Sequence, residues 1–237
     1  MAIQSRESFQ NDKNAEQATV IAFEELEKKY YWLLPQNMHL RMTKDRSLTY
    51  PFIQEHLIAG GIPKECAEKY YPNRCGRALA PSKIEIDGYL AFIDIIMQDN
   101  KEISFPLWGI EMKKQGTNDA RVKKGLSRQA IGNAACDRIP KNQRIFKDIF
   151  HGEDICPYIV CLNGCDFGED ISSTTISKIK ASFGDLNTFN IKKDLIGGGG
   201  SCFFQKEAFT IEELSEKLIY VGSAVIEYFM KKYGIFK

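Results

Sequence analysis

The chain has 237 residues, 27% charged and 43% apolar, and its 32 basic against 31 acidic side chains leave a net charge of +1. That is an ordinary globular composition with enough apolar material for a full core; it excludes a polybasic histone-like protein and an acidic disordered chain. One domain over 1–237 is the expectation for this length. No apolar run approaches the roughly 18 residues that a membrane span needs. The N-terminal MAIQSRESFQNDKN carries no apolar signal core, so an intracellular, cytoplasmic protein is expected. Its seven cysteines, an odd number, are then expected as free thiols.

Residues 1–13 read as a flexible arm. Ala18, Ala22, Leu26 and Tyr30 fall four apart, the stripe of a helix that Asn14 can cap. Pro35, Pro51, Pro63, Pro72 and Pro81 break the next stretch into short helices and loops. Tyr89 to Met97 reads as a strand, QDNK at 98–101 as a turn, and Phe105 to Lys113 as the second strand of an antiparallel hairpin. Leu126 to Arg138 reads as a helix ended by Pro140, with a further turn or two over Arg144 to Phe150. Cys156 to Leu162 is short and apolar enough for a buried strand, and Gly197 to Gly200 reads as a mobile loop. Thr210 and Glu213 form a capping box before a last helix, whose stripe is Leu214, Leu218, Val221 and Val225 and whose end is Gly234. A hairpin followed by strands and helices makes a mixed α/β domain.

The near-zero net charge hides a basic segment. Glu111 to Lys147 holds ten basic residues against Glu111, Asp119 and Asp137, so the segment carries +7 and the remainder −6. One polyanion-binding face and a merely solvated helix face both fit that pattern. In LWGIEMKKQG, strand alternation puts Glu111 and Lys113 on one face and Trp108, Ile110 and Met112 on the other. IEIDGY, at the start of the preceding strand, supplies Asp87, which a hairpin brings near Glu111. Two carboxylates suit Mg²⁺, which prefers oxygen ligands and polarises a phosphoryl group; a lysine beside a bound water can orient it or take its proton. That set fits phosphodiester hydrolysis. An isolated E-x-K is more often a cross-strand surface pair, but Asp87, the apolar opposite face and the basic segment favour chemistry here. A further acid such as Glu24, Glu25 or Glu85 could assist.

This D…E-x-K hairpin resembles the PD-(D/E)xK nucleases. EMKKQG at 111–116, AIGNAACDR at 130–138 and CPYIVCLNGCDF at 156–167 resemble, more narrowly, the EcoRI-like type II restriction endonucleases (the EcoRI/MunI group). The resemblance implies a central mixed β-sheet with a catalytic hairpin flanked by helices. It implies Asp87 and Glu111 as Mg²⁺ ligands and Lys113 as the third catalytic residue. Gln115, Gly132, Asn133, Ala134 and Arg138 would read bases, Asn133 by a bidentate contact to adenine. Lys114, Lys123, Lys124, Arg128, Lys141 and Arg144 would contact the DNA backbone. It implies cleavage of double-stranded DNA at a palindrome with an AATT core, leaving 5′ overhangs, by a homodimer whose two-fold axis matches the site. A cognate methyltransferase would protect the host without being a physical partner.

The chain departs from the family at two places. Ile86 stands where a proline usually precedes the first catalytic acid. Ala135 and Cys136 both separate Gly-Asn-Ala from Asp137-Arg138, where the family has one residue. On a helix the extra residue turns Arg138 by about 100°, which leaves its role open. Two other functions share these residues: a structure-specific or repair nuclease, against which the Gly-Asn-Ala segment argues, and a DNA-binding protein with an inactive nuclease site, against which the intact acid set argues. A zinc site at His151, Cys156, Cys161 and Cys165 lacks a C-x2-C pair, and GGGGS at 197–201 lacks the Lys-Ser or Lys-Thr of a P-loop. His39 and His56 read as ordinary surface or core histidines.

Overall fold

The computed structural model describes residues 6–43, 47–72, 82–86, 90–96, 99–114, 123–125, 133–163, 174–193, 199–205 and 209–234. The strands are β1 (Met38–Thr43), β2 (Ser47–Thr49), β3 (Lys83–Glu85), β4 (Leu90–Ile96), β5 (Glu102–Lys114), β6 (Tyr158–Asn163) and β7 (Ser201–Gln205). The helices are α1 (Arg6–Tyr30), α2 (Tyr50–Ala59), α3 (Lys64–Tyr70), α4 (Asn133–Ile149), α5 (Thr174–Phe183) and α6 (Ile211–Lys232). Five strands form one mixed sheet in the order β1-β4-β5-β6-β7, and β2 pairs with β3 in a second sheet. The β1-β4-β5 half is antiparallel and the β5-β6-β7 half parallel. The protein is thus an α/β domain with a mixed sheet.

The expected hairpin is β4–β5. Asn100 takes the left-handed conformation (φ 61°), and Asp99 Oδ1 accepts from the Lys101 N–H at 3.0 Å, so the turn residues act through the chemistry that marks them. Ala91 lies opposite Trp108 but Phe92 opposite Pro106, which leaves Leu107 as the extra residue of a bulge. Proline has no N–H to give the ladder, and a bulge is one of the few places inside a sheet that tolerates it. Beyond the bulge, Trp108 and Ile110 are fully buried. Trp108 faces α6: a Cβ at Gly222 would fall 2.7 Å from Trp108 Cζ3 and 2.3 Å from Leu26 Cδ1, so the bare glycine lets α1 and α6 close over this face. The α1 stripe is as expected, with Ala18, Ala22, Leu26 and Tyr30 all buried and Tyr30 Oη donating to Glu227 at 2.7 Å. On the other face lies α4. Strand β6 is buried throughout Tyr158 to Leu162, as a parallel strand covered on both faces must be.

Several boundaries differ from expectation. Helix α1 starts at Arg6, so residues 6–13 are helical and Asn14 is an interior residue, not a cap. RESFQNDK contains neither Gly nor Pro, and nothing in it stops a helix. The proline-broken stretch holds short helices but also the edge strand β1, whose Met38-Leu40-Met42 alternation the prolines around it obscured. Helix α4 runs through Pro140 instead of ending there. The proline forfeits one main-chain bond; Ile139, Asn142, Gln143, Ile145, Phe146 and Ile149, all buried, hold both sides of it to the body. Residues 126–132 of the expected helix lie outside the described residues, as do Tyr89, Met97, Gly197 and Gly198.

Gly199 and Gly200 are buried, which corrects the mobile-loop reading for these two. Both have positive φ (79° and 86°), and added Cβ atoms would come within 2.7 Å of Lys192 O and 2.5 Å of Tyr158 O. Gln143 Nε2 donates to Gly199 O at 2.7 Å and to Ser182 O at 2.8 Å, tying α4 to this turn and to α5. The capping box of α6 is complete, with Glu213 N–H to Thr210 Oγ1 at 3.1 Å and Thr210 N–H to Glu213 Oε2 at 2.9 Å; Gly234 follows the helix at φ 66°. Among the described residues no helix is long and apolar enough to cross a membrane.

Candidate active site

Glu111 sits near the C-terminal end of β5, opposite Val160 of the parallel neighbour β6. In open α/β sheets that is the end where ligands bind. Two periodicities bring it to α4. Gly109 and Glu111 are two apart on the strand and share a face, while Phe146 and Asn142 are four apart on the helix and share a face. A Cβ at Gly109 would lie 2.1 Å from Phe146 Cζ, so Phe146 rests directly on the glycine backbone. One helical turn back and two strand residues forward, Asn142 Nδ2 donates to Glu111 Oε1.

Glu111 is only 2% exposed. Burying a carboxylate costs several kcal/mol unless its oxygens are hydrogen-bonded, and the Asn142 amide supplies one such bond. This is not a solvated cross-strand pair: the strand carries a hard oxygen donor inward to a helix amide. Asn142, Gln143 and Gly109 escaped notice in the sequence. The available signal was a polar Asn-Gln pair inside the otherwise apolar face of α4, and a glycine in phase with the acid.

The outward side of α4 is cationic. Arg138, Lys141 and Arg144 recur every three residues and are exposed, and none makes an ion pair with a described residue. Lys123 and Lys124 are exposed as well. Lys113 and Lys114 belong to β5, opposite Leu162 and Asn163; Asn133 and Ala134 are the first described residues of α4. The side chains of these four lie outside the described residues, as do Asp87, Gln115, Arg128 and Gly132 altogether. Asp87 falls between Ile86, which is buried, and Leu90, the first residue of β4. The structure therefore joins Glu111 to the helix whose first described residues are Asn133 and Ala134 and which bears three of the expected backbone-contacting or base-reading cations.

Glu24 and Glu25 are not helpers of Glu111. They are exposed on α1, across the sheet from α4, and Glu25 pairs with Lys28 at 2.8 Å. Glu85 is exposed and pairs with Lys83 at 3.0 Å. Cys156 and Cys161 are fully buried, and burial pushes each thiol up to about 12, far from the thiolate that a metal needs. His151 is exposed, and Cys165 lies outside the described residues. Among the described residues no three His, Cys, Asp or Glu side chains converge. Of the expected Mg²⁺ set, Glu111 has the right donor chemistry: a buried carboxylate with Oε1 oriented by an amide. No protein-family model matches the chain, and no curated protein is significantly similar to it.

Proposed function

We propose that this protein is a Mg²⁺-dependent endonuclease of the EcoRI-like restriction type, with the PD-(D/E)xK fold, acting on double-stranded DNA as a homodimer. The observation that carries the reading is the buried Glu111–Asn142 pair on a helix whose outer side is a row of cations without described ion-pair partners. Glu111 with Asp87 would hold the metal, which supplies a polarised phosphoryl group and an acidified water. Asn142 holds the Glu111 carboxylate in one orientation. Lys113 would orient the attacking water or accept its proton. Arg138, Lys141 and Arg144 would neutralise phosphates, so binding should weaken steeply with salt. Asn133 and Ala134, with Gln115 and Gly132, would read an AATT-containing palindrome in the major groove.

The test is to incubate the purified protein with long DNA of mixed sequence and Mg²⁺ and to sequence every new end. Ends clustered at one palindrome with 5′ overhangs are expected, and Glu111→Ala and Lys113→Ala should abolish them while leaving specific DNA binding measurable. Undiminished cutting by either variant would refute the catalytic assignment. Ends without sequence preference would leave a nuclease and remove the recognition reading.

A further inference from the structure

A cleft of about 580 Å³ lies between α3 and α4, within the range of roughly 300–1,000 Å³ that small-ligand pockets occupy. Lys141, Arg144, Ile145 and Asp148 line it from α4. They recur at three- and four-residue steps and so share one face of the helix, beside the face that carries Asn142 and Phe146. Its floor is apolar, from Leu57, Ala67 and Ile84. Its aromatic wall is Tyr50 against Tyr71, edge to face with ring centroids 5.3 Å apart. That wall is fixed in place: Gln54 Nε2 donates to Tyr71 O, and Tyr71 Oη donates to Asp148 Oδ2.

Of the Lys, Arg and Asp side chains on the lining, three groups remain uncommitted among the described residues: the Lys141 ammonium, the Arg144 guanidinium and the second Asp148 oxygen. A ligand that satisfies all of them has a flat apolar body, an anionic group and a hydrogen-bond donor. An inorganic anion would use only the cations. A fatty acid would use the cations and the floor but would leave its chain against the Asp148 carboxylate. We propose that this cleft binds a nucleotide, with the phosphate on Lys141 and Arg144, the base against Tyr50 and Tyr71, and an exocyclic amine donating to Asp148. The same chemistry could come from a free mononucleotide or from one unstacked residue of a strand. The inference rests on the cleft and does not require Glu111 to be catalytic.

The test is calorimetric titration of the intact protein, without Mg²⁺, with dAMP, deoxyadenosine, inorganic phosphate and the single-stranded trinucleotide pTpApT. dAMP should bind at least about tenfold tighter than deoxyadenosine or phosphate alone, because base and phosphate each contribute. Arg144→Ala should weaken dAMP several-fold. Cys66→Trp, at an exposed α3 position on the cleft rim, should weaken it about tenfold by filling the space. Both variants should unfold at the parental temperature, which separates lost binding from lost structure. Tighter binding of the trinucleotide than of dAMP would identify a strand as the source, and the reverse a free nucleotide. dAMP no tighter than its halves, or unchanged binding by both variants, would overturn the proposal. Cleavage is not read, so failure of the endonuclease reading leaves this result standing.

Discussion

Gly109→Ala tests the contact that sets α4 on the sheet. The new methyl would meet Phe146 Cζ at 2.1 Å and Cε2 at 2.6 Å, with Phe146 fully buried. Overpacking of this kind costs about 1–3 kcal/mol. In a domain of this size each kcal/mol moves the midpoint by about 2–4 °C, so Tm should fall by about 2–12 °C. The decisive measurement is a double-mutant cycle, with urea unfolding followed through buried Trp108. Phe146→Ala alone should cost about 3–5 kcal/mol through its cavity. In that background the clash is gone, and Gly109→Ala should be neutral or stabilising, since Ala outscores Gly in a strand by about 0.5–1 kcal/mol. If Gly109→Ala costs the same in both backgrounds, Phe146 does not set the helix position. On the endonuclease reading the single variant should also lose cleavage beyond its loss of stability, because Asn142 rides one turn away on the displaced helix.

Asn142→Leu should destabilise by about 1–3 kcal/mol by leaving Glu111 Oε1 without its amide donor; a variant as stable as the parent would deny that bond any weight. His56 gives a pH dependence. Its ring is buried between Phe52 O, 2.8 Å from Nδ1, and Ser104 O, and burial lowers its pKa from the ordinary 6.5. Between the lowered folded value and 6.5 the unfolded chain holds the extra proton, so stability is full above 6.5 and is lost as pH falls through that window. The slope cannot exceed the one-proton limit of about 1.4 kcal/mol per pH unit, and His56→Gln should remove it; an unchanged slope in urea titrations from neutral to acid pH would assign it to other groups.

The readable parts of this fold were those where local chemistry decides. The Asp-Asn-Lys turn at 99–101, the α1 stripe and the T-x-x-E box each act within a few residues, and each appears where its pattern stands. Misreadings arose where packing overruled local preference. Pro140 breaks an isolated helix, but here buried side chains on both sides retain it. Gly199 and Gly200 looked loose because the carbonyls that crowd them belong to distant segments. The same holds at the site. Strand alternation pointed to Glu111, whereas Asn142 follows only from the tertiary docking of α4 on Gly109, which no sequence period encodes.

The mixed sheet also bears on the order in which the chain assembles. The β4–β5 hairpin closes through a short turn and needs only nearby residues, so it can form early. Parallel pairing of β5 with β6 requires the long crossover through α4, and β7 must follow through α5. Glu111 is on the hairpin's second strand but past its last described pair with β4, Ala91–Trp108, in the stretch that pairs with β6, and the amide that orients it arrives with that same late crossover. A nascent or partly opened chain would therefore display the acid without its partner, and the complete carboxylate–amide pair would mark only molecules that have finished folding.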